Sequence, residues 1–296
     1  MASSGVALAE PIVLPRRLNW RKVASLTRSY LALAFYLFIA VFPLIWMLMT
    51  SLKDDADLVD ATVSPFWFHK PLAFNHYVYL FTRTSFVQWL QNTFLIAGLT
   101  LAITLAVCIP GAYALARLDF FGAEKLGVGI FMTYLVPPIL LFLPLSRLVA
   151  GGLHLGNNKL ALVLVYPTFT IPFCMWLLMG FFKRVPRELE EAALVDGCNR
   201  WQAVCRVVLP LTMAGILTVA IFAFTLAMQD FLYALTFTSS SSEKPLTVGV
   251  PTELIRGDVF FWGELMTAAL VAGIPVAILY NFFLDYFIEG ITGSVK

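Results

Sequence analysis

The sequence predicts an all-α integral membrane protein with six transmembrane helices. Both termini are placed in the cytoplasm, and a two-helix cytoplasmic loop joins the fourth and fifth crossings. Three observations predict this. Of 296 residues, 60% are hydrophobic and only 13% are charged, about half the charge of an ordinary soluble domain. The mean hydropathy is +0.83, which implies more apolar surface than one or two soluble cores hold. Finally, Asp, Glu, Lys and Arg are absent from six windows of 20 or more residues. This composition excludes an ordinary soluble enzyme, a disordered chain and a nucleic-acid binder. The net charge of +2 is too small to call for a polyanionic partner.

The charge-free windows are Ser29–Leu52, Thr84–Ala116, Leu126–Ser146, Leu160–Phe182, Val207–Gln229 and Leu265–Leu284. Each reaches the roughly 20 residues that a helix needs to cross the hydrocarbon core. Helix is the form that satisfies backbone amides within one segment in lipid. The spans are placed near 29–52, 90–116, 126–147, 160–182, 209–235 and 265–286. They form one transmembrane domain, 29–296, after a cytoplasmic segment, 1–28. Lys and Arg set the orientation: 13 fall on the side of the N-terminal segment and the loops after spans two and four, and 7 on the other. The richer side is cytoplasmic. No basic residue precedes the Arg16–Arg28 cluster to make a cleavable signal, so the first span reads as a retained anchor. Cys108 and Cys174 fall in spans and Cys198 and Cys205 in a cytoplasmic loop, so no disulfide framework or metal cluster is expected.

Outside, the loop from Lys53 to Arg83 opens on an acidic run, Asp54, Asp55, Asp57 and Asp60, read as solvated. Its aromatics, from Phe66 to Tyr79, suit an interface. Ser239–Ser242 reads as a flexible connection. In span three, Pro137 and Pro138 break the helical hydrogen bonding, either as a plain kink or as part of a pore lining. Asp230 lies late in span five, facing the translocation path or hydrated at the outer mouth. Asn92, Tyr134, Tyr166 and Gln229 carry groups able to hydrogen-bond a sugar. Phe142 and Phe173 read as packing, and Asp285 and Glu264 as interfacial.

The segment 183–210 is the most informative. Pro186 fits a first helical position, and Glu188, Glu190 and Glu191 suit the positive end of the helix dipole. Leu189, Ala192 and Ala193 share one face. Gly197 stands where a helix ends in a left-handed residue. Asn199 caps a second helix with Gln202 three residues on. Trp201, Val204, Cys205 and Val208 would form its apolar stripe, and Pro210 marks entry to span five. The first helix is about 14 Å long. It would serve as a lever between two spans or rest on the bilayer as an amphipathic helix.

Glu191-Ala192-Ala193, three residues, Gly197, nine residues, then Val207-Val208-Leu209-Pro210 resembles the EAA signature of permease subunits in binding-protein-dependent ABC importers, with Val207 in place of the usual Ile. Other stretches are similar to the maltose-type carbohydrate-uptake permeases: Ala112–Arg117, Pro137-Pro138, Pro245–Gly249, Trp262-Gly263 and Gly290–Lys296. Met228-Gln229-Asp230-Phe231 departs from that group's Trp-Asn-Glu-Phe. The resemblance implies a coupling helix, Arg187–Asp196, that docks into an ATPase subunit. Glu190, Glu191, Ala192, Ala193, Asp196, Gly197, Leu209 and Pro210 would form that coupling surface. Asn92, Pro137, Pro138, Gln229 and Asp230 are candidates for the substrate path. The implied partners are a second permease subunit, two ATPase subunits, an extracytoplasmic solute-binding protein, membrane lipid and a carbohydrate. ATP and Mg would be held by the ATPase subunits and no cofactor by this chain. Gly-Lys does not occur, so the chain has no P-loop.

The rival readings are weaker. The Asp54–Asp57 run mimics half of a Mg²⁺-diphosphate enzyme site, but no second acidic motif accompanies it. An intramembrane protease needs a placed Ser/His or Asp pair, and all three histidines fall in outer loops. A stand-alone secondary transporter would move solute without ATPase subunits. An ABC permease for a non-sugar solute shares the short signature but not the C-terminal similarity.

Overall fold

The computed structural model describes residues 20–60, 62 and 64–292, with side chains over 25–284 of these. Most of the predicted cytoplasmic segment 1–28, and Lys296, lie outside the described residues. The chain forms two units, Met1–Trp46 and Met47–Lys296.

The described part of the first unit lies in helix α1, Trp20–Ser51, whose last residues belong to the second unit. Tyr30, Phe35, Tyr36 and Phe38 are exposed on it. Aromatic and aliphatic side chains on all faces are what a helix solvated by lipid requires.

In the second unit a short helix, α2 (Asp55–Val59), is capped by Asp54, whose carboxylate accepts from the Ala56 amide. Helix α3 (Asn75–Arg83) leads into the long α4 (Phe86–Arg117). After α5 (Ala123–Tyr134) the chain breaks and bends by 86° into α6 (Pro138–Ser146), which ends in a π turn, Arg147–Gly152. The cause is the Pro-Pro step: the second proline forces the residue before it out of the helical region, and Pro137 sits at φ −56, ψ 127. Span three is thus a broken pair rather than the single kinked helix expected over 126–147.

Helices α7 (Leu160–Val165) and α8 (Pro167–Arg184) run on through a turn at Tyr166. Then come α9 (Arg187–Val195), α10 (Arg200–Ala203), a π turn over Val204–Val208, and α11 (Leu209–Leu211). A second bend, of 76°, precedes α12 (Met213–Gln229). Thr212 lies at the bend with φ −103, ψ 11, and its amide and hydroxyl both bond the Val208 carbonyl, at 3.1 and 2.8 Å. Helix α12 stops at Asp230, so the helix expected across 209–235 is interrupted at both ends. Helices α13 (Leu232–Phe237) and α14 (Leu246–Leu254), a ribbon β1 (Ile255–Arg256) against β2 (Val259–Phe260), and α15 (Trp262–Thr292) complete the chain.

Among the described residues, four stretches are long and apolar enough to cross a membrane: Ser25–Ser51, Phe86–Arg117, Leu160–Arg184 and Trp262–Leu284. There are up to six if each bent pair is one span.

Helix α4 is the spine. It packs on α8 and α12, with Cys108, Ala112, Cys174, Leu178, Phe182 and Val219 buried between them near one end. Toward the other end Trp89, Phe86, Leu80, Leu254 and Ala268 form a second core.

Two outer-loop expectations change. The serine stretch is pinned, not loose: Asn157 accepts from the Ser239 and Ser240 amides at 2.9 and 2.8 Å, and the Ser241 carbonyl accepts from the Trp89 indole at 2.9 Å. The acidic run is likewise organised. Asp57 is buried and accepts from the His69 and Lys70 amides, and Asp54 pairs with Lys70 at 3.0 Å. Charges that read as solvated in one dimension are instead used to satisfy the backbone of a turn.

Candidate functional site

The 183–210 loop is built from local capping. Pro186 stands at the N-cap of α9 with φ −57, ψ 133, one position earlier than expected. Glu188 and Glu190 occupy the first turn, where the free amides favour anions. At the far end the Gly197 amide donates to the Leu194 carbonyl at 3.1 Å and the Cys198 amide to the Ala193 carbonyl at 3.0 Å. That is the Schellman pattern, and Gly197 supplies its left-handed residue at φ +91. Two residues on, Asn199 and Gln202 exchange side-chain and backbone bonds in the expected capping box.

The expected stripe on the second helix does not form as one face. Val204 and Val208 are buried, but Trp201 is 69% exposed and Cys205 is exposed. The cause is the π turn over Val204–Val208. It inserts an extra residue, so the side chains leave the 3.6-residue period.

Two residues of α4, not read as site residues from the sequence, fasten the loop. The Tyr113 hydroxyl donates to Glu190. The Arg117 guanidinium donates to the Val185 carbonyl, and its Nε lies 4.0 Å from Glu190 Oε2. Tyr113 and Arg117 stand at i and i+4, one face of a helix. That spacing in Ala112–Arg117 was the signal available. Arg187 adds an exposed pair with Asp119 at 3.4 Å. A polar hollow of about 380 Å³ opens here, lined by Arg117, Asp119, Arg187, Glu190, Glu191 and Arg200.

The predicted coupling residues therefore split. Glu190 is half-buried and turned to α4, and Ala193 is buried. Ala192, Asp196 and Gly197 are exposed, as are Leu189 and Val195, and the exposed Glu191 and Leu194 line the hollow beside Glu190. Leu209 is partly buried and Pro210 exposed at the start of α11.

The candidate path residues fall in two places. Asp230 caps the end of α12, and its carboxylate accepts from the Tyr166 hydroxyl at 3.0 Å and the Ala234 amide at 3.1 Å. The neighbouring Tyr233 hydroxyl donates to the Pro138 carbonyl at 2.5 Å. The break at Pro137-Pro138 thus meets the segment after Asp230 through Tyr233, while Tyr166 ties Asp230 to the turn between α7 and α8. Gln229 beside them is exposed. Asn92 lies apart, 4% exposed. Its amide donates to the Ser242 and Lys244 carbonyls at 2.8 and 3.0 Å, and its oxygen accepts from Lys159 at 3.0 Å. Phe173 packs on Phe222 with centroids 4.2 Å apart, and Phe142 on Tyr233 at 5.8 Å.

Similar proteins share this plan. The chain is 38% identical over 271 residues, 90% of this chain and 93% of the relative, to the sulfoquinovosyl glycerol transport system permease protein SmoH of Agrobacterium fabrum. It is 33% identical over 93% of its length to the inner membrane ABC transporter permease protein YcjP of Escherichia coli, covering 98% of that protein. It is 29% identical over 87% to the trehalose/maltose transport system permease protein MalG of Thermococcus litoralis, covering 92% of it. The fold matches a chain of a bacterial ABC transporter that imports the acidic polysaccharide alginate, with a TM-score of 0.76 at 20% identity, covering 93% of this chain and all of that one. The sequence profile of binding-protein-dependent transport system inner membrane components matches residues 109–293, which include the whole 183–210 loop and the breaks at Pro137 and Asp230. The chain is a multi-pass membrane protein of the cell membrane and belongs to that family of transport components.

Proposed function

We propose that the chain is one permease subunit of an ATP-driven importer that passes a carbohydrate from an extracytoplasmic binding protein across the inner membrane by alternating access. The sugar class rests on the relatives, which include permeases named for sulfoquinovosyl glycerol, diacetylchitobiose and trehalose or maltose. A related solved assembly is an alginate importer in complex with its oligosaccharide-bound periplasmic protein. In this reading the transmembrane domain 29–296 crosses six times, with each bent pair as one crossing and both termini in the cytoplasm. A second permease subunit completes the path. Two ATPase subunits hold the ATP and Mg. Pro137, Pro138, Gln229 and Asp230 border the path where spans three and five break, and Asn92 shapes its outer end.

The observation that carries the reading is the two-sided α9. One side, through Glu190, is fastened to Tyr113 and Arg117 at the end of α4. Exposed beside it are Ala192, Asp196 and the apolar Leu189 and Val195, with Glu191 at the rim of the hollow. A short rod held at its back and bare at its front transmits a push from an ATPase subunit into the span behind it. ATP-driven closure of the ATPases would displace α9, turn α4 and open the path outward.

Gly197→Pro in the assembled transporter tests this. Proline holds φ near −65°, so the left-handed cap at φ +91 cannot form and α9 loses its fixed angle to α10. The expected result is an order-of-magnitude or larger loss of uptake and of substrate-stimulated ATP hydrolysis, with all subunits still co-purifying. Normal uptake overturns the assignment.

A further inference from the structure

At the end of α4 remote from the 183–210 loop, three elements bring together a cluster that the transport mechanism does not use. Asp55 opens α2, His76 is the second residue of α3 and Glu264 sits in the first turn of α15. One ligand atom from each lies within 4.8 Å of the others. Glu264, which the sequence suggested would lie at the interface, is 6% exposed, and His76 is fully buried. The ring sits so close against α15 that a Cβ at Gly263 would run into it, so only glycine lets the imidazole reach this depth.

The polar atoms are left unfinished in a particular way. His76 Nε2 is engaged with the Lys53 carbonyl at 2.7 Å. A carbonyl accepts, so the ring donates there, and in the neutral imidazole the lone pair falls on Nδ1. Nδ1 is buried without a hydrogen-bond partner, and so is Glu264 Oε2. Glu264 Oε1 is 3.2 Å from Nδ1 and Asp55 Oδ1 is 3.8 Å from it, yet neither completes a hydrogen bond. Among the described residues no Lys or Arg pairs with Asp55 or Glu264. Lys70 is taken by Asp54, and Lys53 by the Pro65 carbonyl. Two carboxylates and one imidazole therefore converge with no lysine or arginine among the described residues paired to them.

We propose that Asp55, His76 and Glu264 form a divalent-cation site, of the zinc class, that clasps the 54–83 segment to the head of the last membrane helix. The ligand set is one nitrogen and two carboxylate oxygens, which suits Zn²⁺ and leaves a fourth position to water at the exposed Asp55. Ligand bonds of about 2.0–2.2 Å in a tetrahedron put neighbouring ligand atoms about 3.3–3.6 Å apart, between the two spacings seen here. The Lys53 carbonyl plays the part that an outer-shell acceptor plays on a zinc-bound histidine, fixing tautomer and ring angle.

The test uses the assembled transporter in nanodiscs, stripped with EDTA and titrated with Zn²⁺ against a competing chelator. Co²⁺ in place of Zn²⁺ reports a tetrahedral site by its visible absorption. The wild type is expected to bind one Zn²⁺ per chain more than the D55N/E264Q double variant does, and to melt at a higher temperature with the metal. D55N alone is expected to weaken that site about tenfold or more. Asp55 is exposed, so this variant folds. If wild type and double variant bind the same amount, the zinc sits on exposed thiols such as Cys205 and the proposal is overturned. It is also overturned if neither binds.

Discussion

At its Phe86 end, α4 is bound to chain about 150 residues away: Trp89 to Ser241 and Asn92 to Ser242, at separations of 152 and 150 residues. At its Arg117 end it holds one short loop through two side chains, Tyr113 and Arg117. The first end has a buried indole, a buried amide with three partners and a pinned serine turn. The second has a half-buried carboxylate and an open polar hollow. The difference teaches where motion is permitted. An end knit by polar bonds to distant segments moves with them as a block. The other end is packed on α8 and α12, but its polar ties reach one short loop, which leaves α9 freer to shift on that seat. Each variant below loosens one end and leaves the other intact.

The largest effect is expected from Trp89→Ala. The indole is 1% exposed and donates to the Ser241 carbonyl. Its loss removes a large buried surface and leaves that carbonyl unpaired, at about 3–5 kcal/mol. The purified transporter should melt well below the wild type, and protease should cut within Ser239–Ser242. An unchanged melting curve with an intact serine turn removes the idea of a knit end.

Asn92→Leu comes next. It keeps roughly the same volume but strands the Lys244 carbonyl and leaves the Ser242 carbonyl to Gln88 and the Lys159 ammonium to Glu243, at about 1–2 kcal/mol. Hydrogen exchange should quicken over residues 239–245 and stay unchanged over 183–210. Equal quickening in both regions shows that the two ends are not separable. Tyr113→Phe then loosens the other end by one hydroxyl, at about 1–2 kcal/mol. Its distinguishing readout is the ratio of solute moved to ATP hydrolysed, which should fall while melting hardly changes. A fall in melting temperature with the ratio intact makes the Tyr113–Glu190 bond structural only.

The same contrast explains what the sequence disclosed. The loop was legible because its devices are local: Gly197 at φ +91 and the Asn199–Gln202 box each act within five residues, a range over which spacing is the physics. The apolar spans were legible because lipid imposes one length and one secondary structure. The knit end was not. Nothing near Asn92 in the chain announces Ser242, and Ser239–Ser242 has the composition of a linker until Asn157 accepts its amides. The bends were half legible: Pro137-Pro138 announced a break but not its 86° size. The break at Thr212 was not legible, since the same back-bonded hydroxyl recurs at Thr218 and Thr225 inside an unbroken helix. Asp55, His76 and Glu264 were seen singly and never together, because three elements far apart in sequence supply them.

Asn199→Ala is the smallest intervention and the sharpest on the loop itself. Asn199 accepts from the Gln202 amide at 2.8 Å, and Gln202 returns a bond to the Asn199 amide at 2.9 Å. Removing the side chain uncaps α10, a helix of four residues, at about 1 kcal/mol. Those residues lead directly into the π turn at Val204 and so into α12, and they sit on the far side of Gly197 from α9. If the loop moves as one rigid piece, uncapping α10 lowers transport per ATP as Tyr113→Phe does, because the push reaching α9 is no longer shared with span five. If α9 works through α4 alone, the variant transports normally and only exchange over 199–203 quickens. The comparison of the two variants therefore decides whether one crossing or two carry the stroke.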